Sequence, residues 1–314
     1  MAKRRIIFRK ERDQELGFGG NLTGKRQINK DGSSNIVRKG VHHFSPLNVY
    51  HTLVTISWIK FSFIILIAYL IINFLFASIY YFIIGVDQLG GMQTSTELHK
   101  FLEAFFFSAQ TITTVGYGRI SPSGIAASAV AALESLFGLL AFALATGLLY
   151  GRFSRPTAKI VFSNNALITP FKEGKAFMFK IVNARTNALI EAEASMFVAY
   201  DETVNDKSIR RFQSMKLEVT KISFLALSWT IVHPIDEESP LNGITEEDLK
   251  AMNAEFFILI KAVDDTYAQQ VHARTSYRSE DVIWNAKFRN IIEQTQEGKM
   301  AIDIGRIHEY DLVK

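Results

Sequence analysis

The sequence TTVGYG at residues 113–118 organises the rest of the chain, because it lies between two apolar stretches that are each long enough to cross a bilayer. Gly116 and Gly118 can take left-handed backbone dihedrals without a Cβ penalty, so the loop can turn consecutive carbonyl oxygens toward one axis. Thr114 adds a hydroxyl group at the inner end of this row. A strand and turn of a soluble protein could carry the same letters, but the apolar flanks favour a row of oxygen ligands at membrane depth.

The apolar flanks predict a pore domain at residues 61–150. Residues 61–84 form an uncharged run of 24 residues, which as a helix is about 36 Å long and sufficient for a tilted span. Residues 125–150 form a second run, rich in Ala, Gly and Ser, which suits close packing of helices in a membrane. Residues 101–112 are apolar but only half a membrane long, as expected of a re-entrant helix whose irregular continuation at residues 113–118 lines a wet cavity.

A short amphipathic segment at residues 45–60 precedes the first span. Ser45 and Pro46 are a typical helix start, with serine at the N-cap and proline at the first helical position. Apolar and polar residues then share the segment, and Trp58 is typical of a membrane interface. We expect an interfacial helix that lies in the plane of the headgroups.

Positive charge is concentrated in an N-terminal arm at residues 1–44. The first 40 residues hold 11 Lys or Arg against 4 Asp or Glu. Because the arm is polar and glycine-rich, we expect it to be partly disordered. A basic arm can bind nucleic acid, but the adjoining spans favour the anionic headgroups of lipids, so no nucleic acid partner is expected.

A second group of basic residues follows the second span. Arg152, Arg155 and Lys159 lie in or beside a linker at residues 151–158. Lys and Arg are enriched on the cytoplasmic side of membrane proteins, so the sequence predicts a multi-pass chain in the cell inner (plasma) membrane with both termini in the cytoplasm. For these three residues, binding of anionic lipids and simple orientation explain the charge equally well.

From residue 159 to residue 314 the pattern changes to a period of two, which is typical of strands. Polar and apolar residues alternate between residues 191 and 198, and turn sequences separate the runs. A short helix is predicted from Thr245, with Asp248 three residues further on as a capping partner. The region is therefore predicted to be a β-sandwich.

The sequence does not favour an enzyme. It has no glycine-rich phosphate loop, no nucleophile elbow, no clustered metal ligands and no cysteine. His233 and the acids that follow it could imitate an acid and base pair, but turns and subunit contacts explain them better. We expect no cofactor.

Three strings together carry a resemblance to a known family. They are TTVGYG, then WTIVHPIDEESPL at residues 229–241, and ARTSY at residues 273–277 with IW at residues 283–284. With them the chain resembles the inward-rectifier potassium channels, specifically the bacterial members. The resemblance implies a homotetramer of two-helix pores with a re-entrant pore helix, followed by a cytoplasmic immunoglobulin-like β-sandwich that gates passive K⁺ conduction. Anionic lipids such as phosphoinositides are implied as regulators.

The resemblance also assigns roles to individual residues. The selectivity filter would be Thr114, Val115, Gly116, Tyr117 and Gly118, with K⁺ bound at the first four. Further assigned positions are the cavity and gate residues Phe142 and Tyr150, and the filter supports Gln110 and Glu134.

Two of these positions depart from the family pattern. Strong rectifiers carry an acid where this chain has Phe142, and animal members carry a glutamate where it has Gln110, so a buried ion pair at that position is not available. An alternative is a ligand-gated or pH-gated cation channel of the same architecture with weak or no rectification. For Glu134, an intramembrane carboxylate, we favour hydrogen bonding to the pore helix over ion binding.

Overall fold

The structure is a computed structural model of the 314-residue chain. It describes residues 26–37, 40, 46–93, 96–154, 158–204, 207–294, 298 and 300–313. The chain forms two compact units, one from residues 40–155 and the other from residues 1–39 together with 156–314. We call them the membrane unit and the β domain.

The membrane unit is helical. Its helices are α1 (Pro46–Thr55), α2 (Trp58–Ser78) with a π-helical continuation (Ile79–Ile84), α3 (Glu97–Ile112) and α4 (Ile125–Phe153). A short 3-10 turn (Val86–Gln88) follows α2, and the strands β1 (Leu89–Gly90) and β2 (Ser121–Pro122) pair with each other. The segments Trp58–Ile84 and Ile125–Phe153 are long and apolar enough to cross a membrane.

The boundary between the interfacial and outer helices differs from the prediction of one helix at residues 45–60. Helix α1 ends at Thr55, and α2 begins at Trp58 rather than at residue 61. Ser57 is in the extended conformation (φ −60°, ψ 153°) and breaks the helix as the N-cap of α2. Trp58 therefore belongs to the outer helix, and the charge of Lys60 concealed this start from the sequence.

Two other helices are longer than predicted. Helix α3 begins at Glu97, four residues before the predicted residue 101, because Thr96 is an extended N-cap and an acid in the first turn suits the helix dipole. Helix α4 continues to Phe153 rather than ending at residue 150, and carries Arg152 in its last turn, where a cation is favourable.

The β domain is built from two five-stranded sheets and two small pairs of strands. Its strands are β3 (Ile160–Phe162), β4 (Ala166–Phe171), β5 (Gly174–Asn183), β6 (Leu189–Val204), β7 (Lys207–Met215), β8 (Lys221–Leu225), β9 (Ser228–Ile235), β10 (Glu255–Asp264), β11 (Gln269–Arg278), β12 (Val282–Trp284), β13 (Ala286–Phe288), β14 (Ile292–Gln294), β15 (Met300–Ile302) and β16 (Tyr310–Leu312).

One five-stranded sheet has the order β11-β10-β6-β7, with β8 paired to β6, and the other has the order β12-β4-β5-β3, with β9 paired to β5. Only the β12–β4 pair among these is parallel. Two separate antiparallel pairs, β13–β16 and β14–β15, complete the described part.

The alternation predicted for this region is confirmed in β6. Ala192, Ala194, Met196 and Val198 are buried in the core between the two sheets. The single α-helix described in the domain, α5 (Glu246–Ala251), begins with the predicted capping box, in which the Thr245 and Asp248 side chains bond each other's backbone N–H groups.

Part of the N-terminal arm is docked on the β domain. Ile28 is buried and packs in a small apolar cluster with β6, β7 and β10. The Arg274 guanidinium donates to the Gly32 carbonyl at 2.5 Å. A Cβ on Gly32 would lie 2.4 Å from the Arg274 carbonyl oxygen, and the residue has φ +80°, so only glycine fits there. Residues 26–37 of the arm are therefore ordered against the β domain.

Candidate functional site

The TTVGYG loop leaves the C-terminal end of α3 with an alternating backbone. Thr114, Gly116 and Gly118 have φ values of +58°, +55° and +83°. A threonine at positive φ is uncommon. The conformation of Thr114 is therefore a stronger sign of a specialised loop than the conformations of the two glycines. The alternation is what a row of carbonyl oxygens on one side of the chain requires.

The loop is hydrogen-bonded to the end of α3, and its Val115 and Tyr117 side chains are exposed. The Gln110 carbonyl accepts hydrogen bonds from the Val115 N–H at 2.9 Å and the Gly116 N–H at 3.4 Å. Val115 and Tyr117 are 52% and 80% exposed in the single chain. Gln110, predicted as a filter support, thus contacts the loop through its backbone carbonyl.

A fully buried polar cluster lies between the three long helices of the membrane unit. Tyr80 Oη donates to Glu134 Oε2 at 2.7 Å, and Ser108 Oγ donates to Glu134 Oε1. Ser108 Oγ also lies 3.2 Å from Asn73 Oδ1, and Asn73 Nδ2 donates to the Tyr69 carbonyl at 2.7 Å. The Glu134 carboxylate therefore joins the outer helix to the pore helix. Sequence reasoning found Glu134 and expected a bond to the pore helix, but it did not identify Ser108 and Tyr80, which lie 26 and 54 residues away along the chain.

Phe142 and Tyr150 lie on α4 with their side chains 73% exposed in the single chain. Phe142 lines a cavity of about 450 Å³ together with Thr114 at the start of the loop. Gly138 lines it too, and a Cβ there would lie 2.2 Å from the Ile112 carbonyl oxygen, so this glycine allows α3 and α4 to approach closely. Tyr150 does not line this cavity.

The Arg152 guanidinium is directed at the protein. Its terminal nitrogens donate to the Leu53 carbonyl at 2.5 Å and the Ile56 carbonyl at 2.7 Å, which are free groups at the end of α1. Its carbon atom Cζ lies 4.5 Å from the ring centroids of Trp58 and Phe61. Arg152 therefore connects the interfacial, outer and inner helices by hydrogen bonds and cation–π contacts.

The other two predicted basic residues differ from Arg152. Arg155 lies outside the described residues. Lys159 is exposed, and its backbone carbonyl accepts from the Ala184 N–H at 2.9 Å. Of the two that are described, only Lys159 leaves its charge free of protein contacts.

An ion pair beside the loop was not found from the sequence. Arg119 Nη1 donates to Glu103 Oε1 at 2.9 Å, and the other carboxylate oxygen accepts from the Gln93 N–H at 3.2 Å. A Cβ on Gly91 would overlap the Arg119 carbonyl oxygen, so the connector packs tightly against this residue. The signal was available, because Glu103 is the only acid within the predicted pore helix and Arg119 follows the loop directly.

The described residues contain no group of three or more His, Cys, Asp or Glu side chains that could hold a metal ion. Two segments long enough to cross a membrane, a half-length helix and an exposed loop with alternating backbone are the features expected of a membrane channel.

Comparison with known proteins identifies the kind of channel. A model of the inward rectifier potassium channel C-terminal domain matches residues 160–314, and an ion channel model matches residues 54–155. The inward rectifier potassium channel Kirbac3.1 of Paramagnetospirillum magnetotacticum is 37% identical over 286 residues, which cover 90% of this chain and 95% of that protein. Human inward rectifier potassium channel 18 is 24% identical over 320 residues, 93% of this chain and 73% of that protein. Among solved structures, the sporulation control protein Spo0M of Bacillus subtilis matches 41% of this chain and 50% of its own at 11% identity, with a TM-score of 0.23 that is too low to bear on function.

The chain therefore belongs to the inward rectifier potassium channel family. It is a membrane protein whose permeant ion is K⁺, and the predictions of family, fold class and potassium-channel function are confirmed.

Proposed function

We propose that four copies of this chain form one pore, and that the backbone carbonyls of Thr114, Val115, Gly116 and Tyr117 bind dehydrated K⁺ on its axis, with Gly118 closing the filter. The observation that carries the proposal is the alternation of positive φ along the loop. The exposure of the Val115 and Tyr117 side chains supports it, because neighbouring copies would cover them.

The filter proposal is tested by K⁺ and Na⁺ flux into liposomes that contain the purified protein with a Gly116→Ala variant. Within one chain no atom lies within 4 Å of a Cβ built on Gly116, so the change acts on that chain through its φ of +55°. Gly147→Ala is the matched control, because that glycine is also open but helical. Loss of K⁺ flux in the first variant alone supports the filter, whereas equal K⁺ flux in both contradicts it.

A second proposal concerns orientation and lipids. Both termini and the β domain lie in the cytoplasm of the cell inner membrane, where Arg155 and Lys159 meet the headgroups of anionic lipids such as phosphoinositides. The exposed charge of Lys159 supports this role. Because the Arg152 guanidinium is hydrogen-bonded to α1, Arg152 serves mainly to hold the helices together. The test is flux with and without phosphoinositide in the Lys159→Met channel, which is expected to lose most of the lipid response; an unchanged response contradicts the assignment.

Gating and rectification follow from the inner helix. The β domain gates the pore through α4, with Tyr150 at the lower gate and Phe142 at the cavity. The exposed Phe142 side chain carries no charge, which favours weak block by polyamines. Voltage-dependent block by spermine is expected to be shallow in this channel and steep in a Phe142→Asp variant. Steep block of the unaltered channel would contradict the proposal.

A further inference from the structure

The side-chain amide of Asn73, in the buried cluster around Glu134, has only one possible orientation. One of its two polar atoms lies 2.7 Å from the Tyr69 carbonyl oxygen, which can only accept a hydrogen bond, so that atom is the donor Nδ2. The other atom, the acceptor Oδ1, therefore faces Ser108 Oγ at 3.2 Å. Among the described residues, the Ser108 hydroxyl is the one donor within reach of Asn73 Oδ1.

The Ser108 hydroxyl has two acceptors but only one proton. Its Oγ contacts both Asn73 Oδ1 and Glu134 Oε1. When Glu134 is ionised, Ser108 donates to the carboxylate, and Asn73 Oδ1 is left as a buried acceptor without a donor, which is unfavourable. When Glu134 is protonated, the carboxyl group donates to Ser108, and Ser108 donates to Asn73. Each contact in the cluster then contains one proton.

An ionised Glu134 would also be a buried charge without a cationic partner. The Glu134 side chain is fully buried, and Tyr80, the one titratable group that contacts it in the described part of the chain, is neutral and donates to Oε2. The other charged or titratable side chains in and beside the three helices lie elsewhere. They are Lys60 in the first turn of α2, the exposed Asp87, Glu97 with Lys100 and Tyr81, His99 with Thr96, Glu103 with Arg119, and Arg152 with α1. A neutral acid avoids the high cost of an uncompensated buried charge.

We propose that Glu134 is a proton-binding site, whose carboxyl group keeps its proton at neutral pH and donates it to Ser108. A carboxylic acid in an apolar site can stay neutral at pH 7 and act as a hydrogen-bond donor. The proton thereby completes a chain of hydrogen bonds from α4 through α3 to α2. Ser108 lies two residues before Gln110, whose carbonyl holds the TTVGYG loop, so the bound proton stabilises the part of α3 that supports the loop.

Infrared spectroscopy of the whole channel in nanodiscs tests the proposal without ion flux, so its result does not depend on the proposed pore. The protein contains isotopically labelled glutamate, and the carbonyl band of a protonated carboxyl group is measured at about pH 7.5, where ordinary glutamate is ionised. We expect such a band, and we expect Glu134→Gln to abolish it. In Glu103→Gln, the matched control, the band should remain, because Glu103 is also buried but forms an ion pair with Arg119. Absence of the band, or its persistence in Glu134→Gln, would overturn the proposal.

Asn73→Leu separates the effect of the hydrogen-bond chain from the effect of burial. The variant keeps the approximate size of the side chain and removes the Oδ1 acceptor, so the Ser108 proton becomes available to an ionised Glu134. The carboxyl band should therefore disappear at a lower pH than in the unaltered channel. Thr111→Val is the control, since that hydroxyl bonds only the Phe107 carbonyl of its own helix. An equal pH dependence in Asn73→Leu and the unaltered channel would overturn the role of the chain.

The glutamine of Glu134→Gln has a second N–H donor for which the cluster has no acceptor, so this variant is expected to lose some stability. If it does not assemble, the labelled spectra of the unaltered channel, Glu103→Gln and Asn73→Leu decide the question. A band that is lost in Glu103→Gln would assign the proton to Glu103 and overturn the proposal.

Discussion

Arg119 donates a hydrogen bond of 2.9 Å to Glu103 and thereby ties the residue after the TTVGYG loop to the second turn of α3. Gln110 carries no charge, so the ion pair that the resemblance to animal members implies at that position is not available, whereas Glu103 and Arg119 do form one. The Glu103 side chain is 11% exposed and the Arg119 side chain 50%, so the pair is worth about 1 kcal/mol after solvent screening.

Glu103→Gln is expected to loosen the outer end of the loop and to raise Na⁺ flux relative to K⁺ flux several-fold in liposomes. Glu97→Gln is the control, because Glu97 pairs with Lys100 on the same helix but is 69% exposed. If both variants have the selectivity of the unaltered channel, the ion pair does not support the filter.

Glu134→Leu is expected to destabilise the membrane unit by about 2–5 kcal/mol, because the buried hydroxyls of Tyr80 and Ser108 lose their acceptor. Thermal unfolding of the purified channel measures this effect. Ser78→Ala is the control, since that hydroxyl bonds only the Phe74 carbonyl of its own helix. The isosteric Glu134→Gln tests the role separately: unchanged conductance and unchanged stability would contradict it.

Arg152→Met and Lys159→Met are expected to affect different properties of the channel. The Arg152 variant loses the two hydrogen bonds to the Leu53 and Ile56 carbonyls, so its free energy of unfolding should fall by about 2 kcal/mol. Its melting temperature in neutral lipid should be correspondingly lower. The Lys159 variant should melt like the unaltered protein and lose lipid response instead. A normal melting temperature in Arg152→Met would show that the contacts to α1 do not stabilise the unit.

His233 predicts a loss of stability in acid. Burial lowers its pKa below the ordinary value near 6.5, although the Lys216 carbonyl partly opposes this shift. The unfolded chain therefore binds the proton more readily, and stability that is present above pH 6.5 is lost as the pH falls toward the lower, folded-state pKa.

Unfolding free energies at about pH 7.5 and pH 5.5, in the unaltered protein and in His233→Gln, measure this contribution. The variant is expected to be less stable at the higher pH and to lose less on acidification. His308, whose pKa burial also lowers, contributes in the same direction and remains in both proteins. An identical loss on acidification in both would contradict the assignment to His233.

Local sequence patterns predicted the helices and strands of this chain well, but they did not predict the contacts between residues that are distant in the chain. The period of two placed the buried face of β6, and residues 245–248 alone specify the cap of α5. By contrast, Glu134 meets Tyr80 across 54 residues and Arg152 meets Leu53 across 99. Hydrophobic periodicity cannot predict such pairs, because it describes which face of one helix is buried and not which residue of a distant helix lies against it.

The helix starts were missed for a related reason. Lys60 interrupts the uncharged run, yet α2 already begins at Trp58, since the helix boundary depends on the extended backbone at Ser57 and not on charge. The oxygen-rich loop was predictable because its two glycines carry the conformational signal, whereas the positive φ of Thr114 was not.

The docking of residues 26–37 on the β domain makes that domain discontinuous in the chain, with the whole membrane unit inserted between its two pieces. During synthesis the first piece emerges before α1, but the β10 and β11 residues that receive it are made more than 200 residues later. The domain therefore cannot be completed until the helices have been translated. An expression fragment that starts after α4 would lack Ile28 and leave Phe212 and Phe257 uncovered, so fragments of this domain should be designed as fusions that restore the missing segment.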